Sequence, residues 1–340
     1  MVKHNVSQRN SLLNFFKGIG CVGVVWIHVM FPGAAGRAVS TLAAFAVPLF
    51  FMISGYFAYS LDDCEVIHRL KRRLVRITKI TIWSMSLYMS YKIAFVLYTN
   101  TWKEWLCDLN TTILWRFILL NDLDFIGGGH LWFLFALAYL YLLLILADKY
   151  RLYIIMYKLL PCFFILHIIV RSISRMGYCS WHISSNFFCT AIPYVVMGNY
   201  IAYKKEFQNR WDNHVLGCLA AVSMVFSCIC SVYSQAFPAL EIVIVIGIVI
   251  SAILIFLVAV RNPYLSVNKQ IEFLGENYSL YVYIIHNLIA YIMGIFLAKM
   301  GMSDCAWMNW IKPVCAAFFS IICSRIIYGF IKERFRGKQS

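Results

Sequence analysis

Few side chains in this largely apolar sequence could do chemistry, and the clearest group lies near its start. Asn14, Lys17, Cys21, Val24 and His28 fall at helical spacing on one face of an apolar run. Lys17 and His28 are eleven residues apart in the sequence. That is about three helical turns, so they project in nearly the same direction roughly 16 Å apart along the axis. A histidine is the natural side chain to take a proton, or act as nucleophile, near neutral pH. The plainer explanation is that Lys17 anchors one end of a span and His28 sits at the other interface. Ser279, Tyr283 and His286 form a second helical face, with His286 either contacting an acceptor or satisfied within the fold. Arg73 and Arg76, three apart in the basic stretch 69–79, can both reach one anion. His130 and Trp132 sit together where an apolar run begins, and the Trp132 indole suits a sugar face as well as an interfacial anchor. In Ser54-Gly55-Tyr56, Ser54 could bond its own helix carbonyl and Gly55 could let two helices approach.

These residues must be positioned by elements that live in lipid. Of 340 residues, 62% are apolar and only 13% charged, with a mean hydropathy of +0.74. Such a chain stays dispersed when lipid covers most of its outside. The formal net charge of +15 would suggest nucleic acid in a soluble protein. Here the basic residues lie between apolar runs too long for a soluble fold, so no nucleic-acid partner is expected. The 12 cysteines lie mostly within apolar runs and form no CxxC pair, which argues against a disulfide framework and a structural zinc. The start resembles a secretory signal, but Lys17 and His28 interrupt the apolar run, and cleavage is not expected.

Hydropathy predicts spans near 12–31, 41–60, 80–98, 131–147, 152–170, 187–203, 214–232, 239–260, 273–298 and 311–331, each long enough to cross hydrocarbon as a helix. The expected fold is therefore all-α: one polytopic membrane domain over 1–340, with about ten transmembrane helices and no appended soluble domain. With the N-terminus inside, twenty Lys and Arg fall on cytoplasmic segments and seven on outer ones, which places both termini in the cytoplasm. The largest outer connection, 99–130, carries Trp102, Trp105, Trp115, Asp122 and Asp124 and ends in Gly127-Gly128-Gly129.

The ordered motifs resemble those of the acyltransferase 3 family of bacterial integral-membrane O-acyltransferases. Arg9-Asn10-Ser11-Leu12-Leu13-Asn14-Phe15-Phe16-Lys17-Gly18, running on to His28, is similar to the family's opening signature. That signature has Arg-Asn, an Asp, a basic residue followed by Gly, and a His eleven residues after the basic position. Pro48-Leu49-Phe50-Phe51-Met52-Ile53-Ser54-Gly55-Tyr56 resembles its second element. The basic Lys71-Arg72-Arg73-Leu74-Val75-Arg76 follows, and His130-Leu131-Trp132 and Ser279 to His286 resemble two later ones. The likeness runs over roughly 9–330. It departs at Asn14, where the family has Asp, and at Lys17, where Arg is commoner.

The resemblance implies transfer of an acyl group, most simply acetyl, from cytoplasmic acyl-CoA to a hydroxyl of a cell-envelope glycan or lipid-linked acceptor. It implies location in the bacterial cell membrane, with acyl-CoA as donor and no metal. His28 would then be the catalytic base or nucleophile. Arg73 and Arg76 would hold the CoA phosphates, and Lys17 would line the inner end of the donor channel. Asn14, Tyr56, His130, Trp132 and His286 would contact substrate. The alternative is a multi-pass transporter or flippase of an amphiphilic envelope precursor. No internal repeat or symmetric pair of broken spans supports it.

Overall fold

The computed structural model describes residues 10–59, 63–204, 212–302 and 305–336, and among these residues it is helical throughout with no strand. Arg9 of the first motif, and Lys3, Lys205, Arg210 and Lys338 of the orientation count, lie outside the described residues. In chain order the helices are α1 (Ser11–His28), α2 (Gly33–Ala43), α3 (Ala46–Tyr56), α4 (Asp63–Tyr98), α5 (Trp102–Asp108), α6 (Thr111–Leu120), α7 (Trp132–Lys149) and α8 (Tyr153–Lys158). They continue with α9 (Leu160–Arg175), α10 (Trp181–Ser184), α11 (Ile192–Tyr203), α12 (Asn213–Tyr233), α13 (Leu240–Arg261), α14 (Lys269–Asn277), α15 (Ser279–Lys299) and α16 (Ala306–Arg336).

Eight helical segments among the described residues are long and apolar enough to cross a membrane. The protein is thus an all-α polytopic membrane protein, and the departures from ten spans have local causes. The span expected at 152–170 is split into α8 and the 16-residue α9, which restarts with Pro161 in its first turn, where a missing N–H is not needed. The span expected at 187–203 opens with a π-helical turn, Phe187–Ala191, before the 12-residue α11. The basic stretch 69–79 lies within the 36-residue α4, which no Gly or Pro interrupts, instead of forming a connection before the third span. The apolar run 273–298 divides at Tyr278 into α14 and α15.

The chain divides into two compact units, Met1–Phe50 with Lys205–Ser340, and Phe51–Lys204. In the first, α1 is central to the packing and touches α2, α13, α14, α15 and α16. Its start is fixed by Asn10, whose side chain caps the Leu13 N–H at 2.8 Å and donates to the Ala259 carbonyl at 3.0 Å. One core joins Cys21 and Val25 of α1, and Val29 just after it, to Val282 of α15 and Ala316 and Ala317 of α16. Helices gain little from burial against lipid, so close backbone approach matters more. A Cβ at Gly18 would run into the Ile271 carbonyl, and one at Gly275 into the Asn14 carbonyl, so α14 lies directly on α1. Asn268 sets the start of α14 by accepting from Gln270 and Ile271 N–H, while Glu272 accepts from the Val267 N–H and the Ser266 hydroxyl. Arg37 donates to the Ser231 and Val232 carbonyls at 3.1 Å each, capping the negative end of α12.

In the second unit α4 packs on α7. Gly55 meets the Val195 carbonyl and Gly198 meets the Met52 carbonyl with no room for a Cβ at either. Asn199 locks this contact, donating to the Gly55 carbonyl at 3.2 Å and accepting from the Tyr157 hydroxyl at 2.6 Å. The glycine of Ser54-Gly55-Tyr56 therefore permits a close helix approach.

Candidate active site

Of the first-unit candidates, two histidines are brought together. His28 is the last residue of α1 and is exposed there, between turns whose Val25 and Val29 are buried. His286 in α15 is fully buried. The two imidazole centroids are 5.0 Å apart at an interplanar angle of 47°. The α1–α15–α16 core sets this approach, since Val25 and Val29 flank His28 and Val282 lies one turn before His286.

The hydrogen bonds of His286 settle its proton. Nδ1 lies 2.7 Å from the Tyr283 carbonyl and 3.2 Å from the Val282 carbonyl. Carbonyl oxygens only accept, so Nδ1 carries the hydrogen, and in the neutral ring Nε2 carries the lone pair. A base at His28 becomes positive as it takes a proton, and a neighbouring neutral imidazole can share that charge.

Three turns down α1, Lys17 is half-buried. The Glu276 carboxylate on α14 acts on its ammonium electrostatically. Glu276 follows Gly275, the residue that seats α14 against Asn14. A carboxylate thus stands near Lys17 although position 14 is an amide, and Asn14 itself is half-buried at that contact. Sequence reasoning passed over Glu276, yet a carboxylate inside the predicted span 273–298 was a usable signal, because such a charge needs a partner.

The remaining candidates belong to the second unit. Arg73 is half-buried in α4 and bonds the Tyr141 side chain of α7, while Arg76, one turn on, is exposed. Arg69, one turn before Arg73, has buried Nε and Nη2 groups with no hydrogen-bond acceptor among the described residues. It was not singled out from sequence, where it was one basic residue among six. Tyr56 ends α3, half-buried and edge-on to Phe57. His130 is buried in a 3-10 turn, Gly129–Leu131, with its ring edge-on to the buried Tyr88 of α4 at 4.9 Å. Trp132 opens α7 with 9% of its surface exposed and packs on Phe51 and Phe133. That is the setting of a core aromatic. A further cluster, Asp122, Asp124 and His182, joins two segments that the sequence leaves far apart.

The fold and site together are those of a polytopic helical membrane protein with two facing imidazoles and a cation on the same face of α1. Residues 10–329 match the acyltransferase domain of the acyltransferase 3 family, and the chain belongs to that family. Family membership supports an acyltransferase activity. No curated protein and no solved structure matches the chain.

Proposed function

We propose that the protein is a membrane O-acyltransferase of the bacterial cell membrane, moving an acetyl or similar acyl group from cytoplasmic acyl-CoA to a hydroxyl of an envelope glycan or lipid-linked acceptor. The observation that carries this reading is the 5.0 Å approach of His28 and His286, with the Nδ1 of His286 committed to carbonyls. His28 takes the acceptor hydroxyl's proton as its oxygen attacks the thioester carbonyl. The C–O bond forms, the C–S bond breaks, and the CoA thiolate leaves and collects the proton. His286 accepts part of the imidazolium charge. Lys17 lines the inner end of the donor path, and Arg73 and Arg76, with Arg69 beside them, take the CoA phosphates through charge-assisted bonds.

The test combines two measurements. Purified protein in lipid nanodiscs is assayed for acceptor-dependent thiol release from acetyl-CoA. Envelope glycans from cells with and without the chain are compared by mass spectrometry for a lost acyl mass. Thiol release abolished by His28→Gln, together with a lost acetyl mass, is the expected result. Glycans unchanged in mass, with no thiol released to any envelope acceptor, would defeat the assignment.

A further inference from the structure

In the second unit, Asp122 and Asp124 stand before the Gly127–Gly129 turn, and His182 stands on α10, about sixty residues later. His182 Nε2 is 3.1 Å from Asp122 Oδ1 and 2.9 Å from Asp124 Oδ2, and the three ligand atoms lie within 4.8 Å of one another. His182 is 4% exposed. The surroundings hold each group in place. Asp122 gives its other oxygen to Arg116 at 2.5 Å, and its Oδ1 accepts the Asp124 N–H at 2.9 Å. A Cβ at Gly129 would strike Asp124 Oδ1, so the glycine lets the turn close on that carboxylate. The Trp181 ring lies over His182 with centroids 3.9 Å apart.

Two occupants could reconcile a ring nitrogen with two carboxylate oxygens: a proton on Nε2 or a cation. A proton would need an in-line bond to one oxygen. Despite the short distances, the Nε2–H direction satisfies neither, and Nε2 has no hydrogen-bond partner of acceptable angle. A cation explains both facts. In an octahedral site with bonds of about 2.1 Å, ligands at right angles are about 3.0 Å apart. Each such oxygen lies about 45° off the nitrogen axis and would bend an N–H···O bond to about 120°, where such bonds fail. The far side of the ring is built for ligation as well. Ser180 Oγ is 2.9 Å from Nδ1 and already accepts the His182 N–H, so it can accept the Nδ1 proton and direct the Nε2 lone pair inward.

We infer that Asp122, Asp124 and His182 form a binding site for a first-row divalent cation such as Mn²⁺, which pins the glycine turn to the α10 segment. The imidazole selects against Mg²⁺ and Ca²⁺, which prefer all-oxygen shells. Three protein ligands leave positions for water, and the Asp124 side chain, 54% exposed, gives the ion its entry. The site departs from the expectation of a metal-free protein and does not depend on the proposed reaction.

The full-length protein, purified in detergent and stripped with chelator, is titrated with Mn²⁺ while the free ion is followed by electron paramagnetic resonance. Thermal unfolding is recorded with and without the ion. One saturable Mn²⁺ per chain is expected, with an unfolding temperature raised by several degrees and binding retained in excess Mg²⁺. His182→Gln and Asp124→Asn should each weaken binding at least tenfold and remove the thermal shift. Absence of saturable binding by the wild-type protein overturns the site, whatever the variants do. So does displacement by Mg²⁺, or affinity unchanged in Asp124→Asn, whose exposed side chain makes it the safer variant for folding.

Discussion

The two histidines should behave as one catalytic unit, and a double-mutant cycle can show it. His28→Gln keeps a hydrogen-bonding side chain but cannot accept a proton. His286→Asn keeps a donor for the Tyr283 carbonyl and deletes the Nε2 lone pair. Loss of a general base costs 10²- to 10⁴-fold, so His28→Gln is expected to lower kcat/KM by about 10³. His286 acts through its neighbour at a 5.0 Å ring separation, so its removal should cost about 10². Independent rings would give the double variant a loss of about 10⁵. Rings that share one proton's charge would give about 10³, because His286 has nothing to support once His28 cannot be charged. The difference, a factor of about 10², is about 2.7 kcal/mol at 1.36 kcal/mol per decade, within the range for residues in contact. Thiol release from acetyl-CoA with the four proteins in nanodiscs measures it, with helical content and elution volume as folding controls. A double loss equal to the product of the single losses would refute the shared-charge argument. More than about a tenth of the activity left in His28→Gln would refute the proton-transfer role itself.

Three further outcomes test the supporting residues. Replacing Arg73 and Arg76 together with Gln should raise the KM for acyl-CoA at least tenfold, since each charge-assisted contact is worth about 1.5–3 kcal/mol; unaltered donor kinetics in a normally inserted protein would leave the pair a topology signal only. Glu276→Gln should reduce kcat/KM, and adding Asn14→Asp should restore part of the loss by returning a carboxylate to the Lys17 neighbourhood; no restoration would separate Glu276 from Lys17. Gly275→Leu should destabilise the protein by a net of up to about 2 kcal/mol, because overpacking against the Asn14 carbonyl (about 1–3 kcal/mol) outweighs a helix-propensity gain of about 0.8 kcal/mol. An unfolding temperature at or above wild type would contradict that close approach.

What was legible in the sequence was what repeats at short range. The face that carries Lys17 and His28 follows from helical spacing alone, and α1 presents it as expected. The long apolar runs marked most helices. The divided ones were hidden, because a hydropathy average passes smoothly over Pro161, the π-turn at Phe187–Ala191 and the break at Tyr278. The approach of His286 to His28 was out of reach, since it depends on how Val282, Ala316 and Ala317 pack on α1. The sequence named both residues but not their partnership. Asp122 and Asp124 were visible as loop charges, and His182 is what gives them a possible chemistry. Trp132 differs in its surroundings from what its type suggested. Its type and place suggested a surface, and its neighbours Phe51 and Phe133 make it core.

The departure at Asn14 follows from the same packing. A carboxylate at position 14 would sit on α1 itself, one turn before Lys17, as the family's opening signature has it. Here the carboxylate comes from α14, and it acts on Lys17 electrostatically because α14 lies against α1 with backbone on backbone. Gly18 and Gly275 make that approach possible, and Glu276 is the next residue in the chain after Gly275. Steric fit and charge placement therefore depend on one contact. Widening the α1–α14 spacing at Gly275 should move Glu276 away from Lys17, so Gly275→Leu should weaken activity in the same direction as Glu276→Gln, beyond its effect on stability. The amide at position 14 is then consistent with the site: an anion there as well would put two carboxylates near one half-buried ammonium.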